Sequence, residues 1–145
     1  MRLSTRGRYA ARIMVYMGTK DGRKPVTKQE IADAEAISVD YVGQILVKLR
    51  TAGLVASFRG KKGGFVLARD PAAVTLADVV KATEGPLELA PCREGPCRRQ
   101  SVCAMQAVWQ RAIGAVEKIL VETRLQDVVE QARRISANRA ITFDI

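Results

Sequence analysis

The chain contains no histidine. That removes the commonest general base and the commonest nitrogen ligand for a transition metal. No convergent nucleophile–base pair is legible either, so the sequence reads as something other than an enzyme. No apolar run approaches the roughly 18 residues of a membrane span. Continuous apolar character near the start is confined to Ile13–Met17, too short for a secretory leader. Together these absences predict a cytoplasmic protein without a membrane partner.

Cysteine is scarce, and all of it lies in one place. Cys92, Cys97 and Cys103 fall within twelve residues, on a Gly/Pro-containing stretch that runs toward a helix. The spacing is C-x4-C-x5-C, not the doubled C-x2-C of a structural zinc site. Three converging thiolates suit an iron–sulfur cluster. From the residues alone three other readings stay open. One is zinc held by three thiolates and an oxygen ligand. Another is a disulfide, which leaves one cysteine over and needs an oxidising compartment. The last is three reduced, unligated thiols.

What the sequence does have is positive charge, unevenly placed. The 145 residues carry a net +9, with 48% apolar residues and a mean hydropathy of −0.04, as expected of an ordinary globular protein. That length fits one compact domain plus an appendage. Residues 1–70 hold 14 Lys/Arg against 6 Asp/Glu, whereas residues 71–145 hold 10 against 9. An anion-binding module confined to the first half, with nucleic acid as its partner, accounts for the asymmetry.

Taken in order, the first half spells out that module. Ser4 is placed to cap a helix over Thr5–Thr19, with Tyr9, Ile13, Tyr16 and Met17 on one side and Arg6, Arg8 and Arg12 on the other. Those arginines read either as a solvated face or as phosphate contacts. A turn over Lys20–Pro25 follows. Thr27 and Glu30 have capping-box spacing and open a short helix through Ile31, Ala32 and Ala34. After the turn Ala36–Ser38, Ser38 caps a second helix, which buries Val42, Ile45, Leu46 and Leu49 and stops at Gly53. Two short helices across a tight turn describe a helix-turn-helix. Asp40, Tyr41, Gln44 and Lys48 lie on the second helix's outward face. Gln suits an adenine edge, and Tyr and Lys suit the phosphate backbone.

Two β-prone segments, Leu54–Phe58 and Phe65–Ala68, flank a basic Gly-rich loop and predict a hairpin. After a helix-turn-helix this is a wing, with Arg59, Lys61 and Lys62 at its tip for a minor groove or a phosphate. The loop is no P-loop, since it lacks the G-x4-G-K-[ST] spacing and no helix follows it. The candidate DNA contacts are therefore Lys28, Ser38, Asp40, Tyr41, Gln44, Lys48, Arg59, Lys61 and Lys62. Thr75 and Asp78 cap a further helix that ends at Gly85-Pro86.

The longest predicted helix runs from Ser101 to about Thr123, roughly 33 Å at 1.5 Å per residue. Val102, Met105, Trp109, Ile113 (or Ala112), Val116 and Leu120 form its apolar stripe. With the compact part of the chain already complete, a second subunit is the expected cover, giving a homodimer through residues 101–123. After Ala132 the sequence predicts a short helix and then a frayed basic end. The fold class is mainly α with a small β-hairpin wing: a winged helix-turn-helix plus a long dimerisation helix. Its divisions are 1–85 for DNA binding, 86–104 for the cysteine segment, 101–132 for dimerisation and a C-terminal helix, and 133–145 as tail.

Several stretches, in this order, resemble the Rrf2 family of bacterial winged-helix transcription regulators. They are residues 1–9, Ile37–Gln44, Leu49–Val55, Arg59–Phe65, Glu84–Leu87, the three cysteines and Ala107–Trp109. The resemblance covers residues 1 to about 130 and is closest to the family's iron–sulfur type, that of IscR, NsrR and RirA. It implies a [2Fe–2S] or [4Fe–4S] cluster on Cys92, Cys97 and Cys103, a dimer through the long helix, and a DNA operator whose binding follows iron, NO or redox state. The IscR type supplies a histidine where this chain has Gln106, and some NO sensors use a partner-subunit aspartate where it has Arg8. Gln106, one of the carboxylates Glu84, Glu88 and Glu94, or a small exogenous ligand is left as the fourth ligand. The acidic residue with which the IscR type chooses between operators is here Gly43. The alternatives are a cluster-free regulator that senses thiol state or a metabolite, and an iron–sulfur electron-transfer protein. The latter would have no use for a basic winged helix.

Overall fold

A computed structural model describes residues 3–20, 22, 24–88, 97–99 and 101–143. Helix α1 spans Thr5–Thr19, and the Ser4 hydroxyl accepts the Gly7 amide at its N-cap. The helix buries Ala10, Ile13, Met14 and Met17, while Tyr9 and Tyr16 are only half-buried. The expected stripe is thus rotated, because α1 is covered from more than one side.

Helix α2, Lys28–Glu35, begins with the expected capping box: the Glu30 amide donates to Thr27 Oγ1 at 3.1 Å, and the Thr27 amide to the Glu30 carboxylate at 2.6 Å. The Thr27 amide, with the Thr27 hydroxyl beside it, pulls the Glu30 carboxyl pKa below its usual value. Ala36, at φ +52°, turns the chain, and Ser38 caps helix α3, Val39–Thr51. Val42, Ile45, Leu46 and Leu49 of α3 are all fully buried. Each contributes about 1.5–3 kcal/mol by leaving water.

Strands β1, Val55–Phe58, and β2, Gly64–Leu67, pair antiparallel with Val55 opposite Leu67 and Phe58 opposite Gly64. Val26 adds a third short edge, exchanging both backbone hydrogen bonds with Phe65 at 2.8 and 2.9 Å. From its residues the chain before Thr27 is expected only as a turn, so this pairing is an addition. Gly64 has to be glycine there: at φ +156° a Cβ would lie 2.6 Å from the Val26 carbonyl oxygen.

After a 3-10 turn at Pro71–Ala73, helix α4 covers Leu76–Glu84, with its own capping box between Thr75 and Asp78. Helix α5 covers Ala104–Glu122, three residues shorter at its start than expected and roughly 28 Å long. Residues 98–99 and 101–102 turn instead, with the Val102 amide bonded to the Arg99 carbonyl at 3.0 Å, and Cys103 is extended.

Helix α6, Leu125–Phe143, corrects the expectation of a short helix and a frayed end. Its first turn is pinned to the start of α4: the Leu76 amide donates to the Thr123 carbonyl at 3.0 Å and the Leu125 amide to the Val74 carbonyl at 2.9 Å. Leu125 and Val129 then enter the core formed by α1–α4 and the hairpin. Arg133 donates to the Gly18 carbonyl at the end of α1, 3.0 Å away. No helix among the described residues is long and apolar enough to cross a membrane.

Candidate nucleic-acid interface and cysteine segment

An ion pair anchors the helix-turn-helix to α1. Arg12 Nε donates to the Glu35 carboxylate at 2.8 Å, and one of its terminal nitrogens, Nη2, donates to the Glu35 carbonyl at the end of α2. The same guanidinium lies 5.2 Å from the Tyr9 ring centroid, and Tyr9 meets Tyr41 edge-on at 5.9 Å. This chain of contacts sets α3 against α1. It also commits Arg12 to packing, so of the three α1 arginines it is the one drawn away from phosphate. Arg8 stays exposed.

On α3, Asp40, Gln44 and Lys48 are exposed, and Tyr41 is half-buried by its ring contact. The Ser38 hydroxyl accepts the Tyr41 amide at 3.4 Å, which makes it a helix cap whatever else it does. Lys28, the first residue of α2, reaches across α3 at Gly43. A Cβ there would lie 3.5 Å from Lys28 Cδ and 3.9 Å from Nζ. The structure thus brings Lys28 to the helix that carries Gln44.

Arg59, Lys61 and Lys62 are exposed at the tip of the hairpin, where the Gly63 amide closes a tight turn on the Gly60 carbonyl at 2.9 Å. Arg50 of α3 donates to Ser57 of β1 at 3.3 Å and ties wing to helix. Two cationic elements flanking an exposed polar helix face are the electrostatic footprint of a DNA-binding module.

Of the cysteines, Cys92 lies outside the described residues, as does Glu94. Cys97 is an exposed free thiol and Cys103 a half-buried one. Cys103 occupies the N-cap position of α5 without making a side-chain cap bond. Gln106 is half-buried one turn on, and its amide bonds to the Cys103 carbonyl at 3.3 Å. Glu88 is half-buried before the cysteines. Glu84 is engaged elsewhere, by the Ser4 hydroxyl.

The α5 stripe is mostly bare. Ile113 alone of its expected members is buried; Val116 and Leu120 are half-covered, and Val102, Met105 and Trp109 are 70%, 45% and 40% exposed. Val108, Ile119 and Val121 add to the exposed apolar surface of the same segment.

Known proteins match this arrangement over nearly its whole length. Residues 3–131 match the family described as Rrf2, iron-dependent transcriptional regulator. The HTH-type transcriptional regulator CymR of Bacillus subtilis is 36% identical over 130 residues, 88% of this chain and 89% of that protein. IscR of Vibrio cholerae is 34% identical over 111 residues, 76% of this chain and 64% of that protein. Among solved structures, CymR, "the Global Cysteine Regulator of B. subtilis", superposes with a TM-score of 0.75 at 34% identity, covering 90% of this chain and 98% of that one. T. potens IscR superposes equally well, at 30% identity over 91% of this chain and 88% of that one. These relatives are regulators of transcription, not enzymes. The chain is a winged-helix protein, and it belongs to the Rrf2 family of transcriptional regulators.

Proposed function

We propose that this DNA-binding transcription regulator is a homodimeric repressor that adjusts its operator affinity through an iron–sulfur cluster held by Cys92, Cys97 and Cys103. The observation that carries the reading is the placing of Cys103 at the uncapped N-terminus of α5, with Cys97 exposed close by in sequence. The donor set fits the group. Soft thiolates suit iron–sulfur clusters, and the helix end together with Arg98 and Arg99 offsets their negative charge. Gln106, one turn from Cys103, is the protein side chain we assign as fourth ligand.

When bound, such a cluster supplies a group reactive toward iron supply, NO or redox state. The rest is the work of this chain's residues. Gln44, with Asp40 beside it, faces the bases, while Lys28, Ser38, Tyr41, Lys48, Arg59, Lys61 and Lys62 hold the phosphates. The α5 stripe joins two subunits, so each recognition helix meets one half-site. A cluster held within residues 86–104 would bias how α5 leaves the DNA-binding unit, and so the separation of the two recognition helices.

A second reading is supported by the likeness to CymR, whose solved structure is titled a cysteine regulator. In it the three thiols carry no cluster, and thiol state or a metabolite sets DNA affinity. One preparation separates the two. Protein purified without oxygen is assayed for iron, sulfide and visible absorption, then titrated against DNA before and after chelation. Two or four iron with matching sulfide per chain, and an affinity that changes on chelation, are expected; roughly these counts define the two cluster types. Protein that stays colourless after anaerobic reconstitution would sink the cluster and promote the thiol reading.

A further inference from the structure

The outward face of α3 carries one residue that its polar surroundings do not explain. At about 100° per residue, Asp40, Gln44, Val47 and Thr51 fall on one strip opposite the buried Val42, Ile45, Leu46 and Leu49. Val47 is 53% exposed. A single exposed apolar side chain is ordinary on a protein surface. Here, however, three of the four helical neighbours that might cover it are absent or engaged elsewhere. Gly43, one turn before, has no side chain. Thr51, one turn after, has its hydroxyl folded back 2.9 Å from the Val47 carbonyl. Arg50 is drawn off to Ser57 on the wing. Gln44 is itself exposed on the same strip.

Val47 therefore presents a bare isopropyl group on the strip that carries Gln44, with Lys28 and Lys48 on its flanks. The major groove offers one apolar group at its base edges, the C5-methyl of thymine. We infer that Val47 is a specificity-determining residue, contacting the methyl of a thymine beside the base pair read by Gln44. Residues three apart on a helix have Cβ atoms about 5–6 Å apart. Successive base pairs are about 3.4 Å apart along the duplex. The valine contact thus falls one or two pairs from the glutamine contact. The inference rests on α3 being the helix that reads DNA.

The test begins with duplexes selected from a random library by the unaltered protein. In a selected duplex each thymine is replaced in turn by deoxyuridine, which removes the methyl alone. One replacement is expected to weaken binding about fourfold, the value of one buried carbon. It should lie within two pairs of the position at which Gln44→Ala relaxes preference. Val47→Ser should bind the thymine and uracil duplexes equally while keeping the thermal midpoint of the unaltered protein. Uracil tolerated at every position, or a penalty that persists in Val47→Ser, overturns the valine contact and leaves α3 as the reading helix. Failure to enrich any duplex overturns the DNA-binding reading itself, and the contact with it.

Discussion

The Ser4 hydroxyl donates to the carboxylate of Glu84, eighty residues away in sequence. Ser4 caps α1, and Glu84 is the last residue of α4 before the chain leaves for the cysteine segment. One bond thus joins the start of the DNA-binding unit to the root of the proposed sensor. Gly7 permits the approach, because a Cβ there would lie 3.0 Å from Glu84 Oε1.

Replacing Glu84 by Ala is expected to cost about 1 kcal/mol in urea unfolding, a typical net value for such a bond. Ser4→Ala removes the cap as well and should cost more. The double variant should be less destabilised than the sum of the two, since both remove the same bond. Strict additivity would mean the hydroxyl and carboxylate do not act together.

Gly18 and Val129 form a second long-range pair. A Cβ on Gly18 would lie 2.5 Å from Val129 Cγ2, and a β-branched residue in a helix has little freedom to move aside. Gly18→Ala should therefore destabilise by about 1–3 kcal/mol despite its better helix propensity. In a Val129→Ala background the same change should cost nothing or stabilise. Equal costs in both backgrounds would place α6 away from α1.

Asp78 ties stability to pH. Burial raises its pKa, but hydrogen bonds from the Thr75 amide and hydroxyl, with Arg69 and Arg124 nearby, lower it below the usual carboxylate value. A lowered folded-state pKa contributes stability that is present above the unfolded value and lost as pH falls through the folded one. Asp78→Asn should lower the thermal midpoint at pH 7, and the gap should narrow below about pH 4. A gap independent of pH would show that the carboxylate charge contributes nothing.

Replacing Lys61 and Lys62 by Ala should weaken binding to specific and random duplexes alike. The slope of log affinity against log salt should fall by about one for each phosphate that is no longer neutralised. An unchanged slope would mean the wing tip does not meet phosphate.

The sequence by itself determined the local elements, because their causes lie within a few residues of each other. The capping boxes at Thr27–Glu30 and Thr75–Asp78, the Ser38 cap and the buried side of α3 all form where side-chain chemistry and the 3.6-residue period place them. The basic wing and the exposed apolar stripe on α5 were legible for the same reason. Tertiary structure alone decided the rest. Tyr9 and Tyr16 yield the centre of α1 to Ala10 and Met14 because α4 and α6 also pack on that helix. Arg12 is taken up by Glu35, and Val26 joins the hairpin only because Gly64 lets two backbones meet. Helix α6 looks weakly patterned by itself. It becomes a core element through Leu125, Val129 and Arg133, whose partners lie more than 100 residues earlier in α1 or are fixed by the turn of chain that pairs Thr123 with Leu76. Periodicity carries no information about which distant surface a helix will meet.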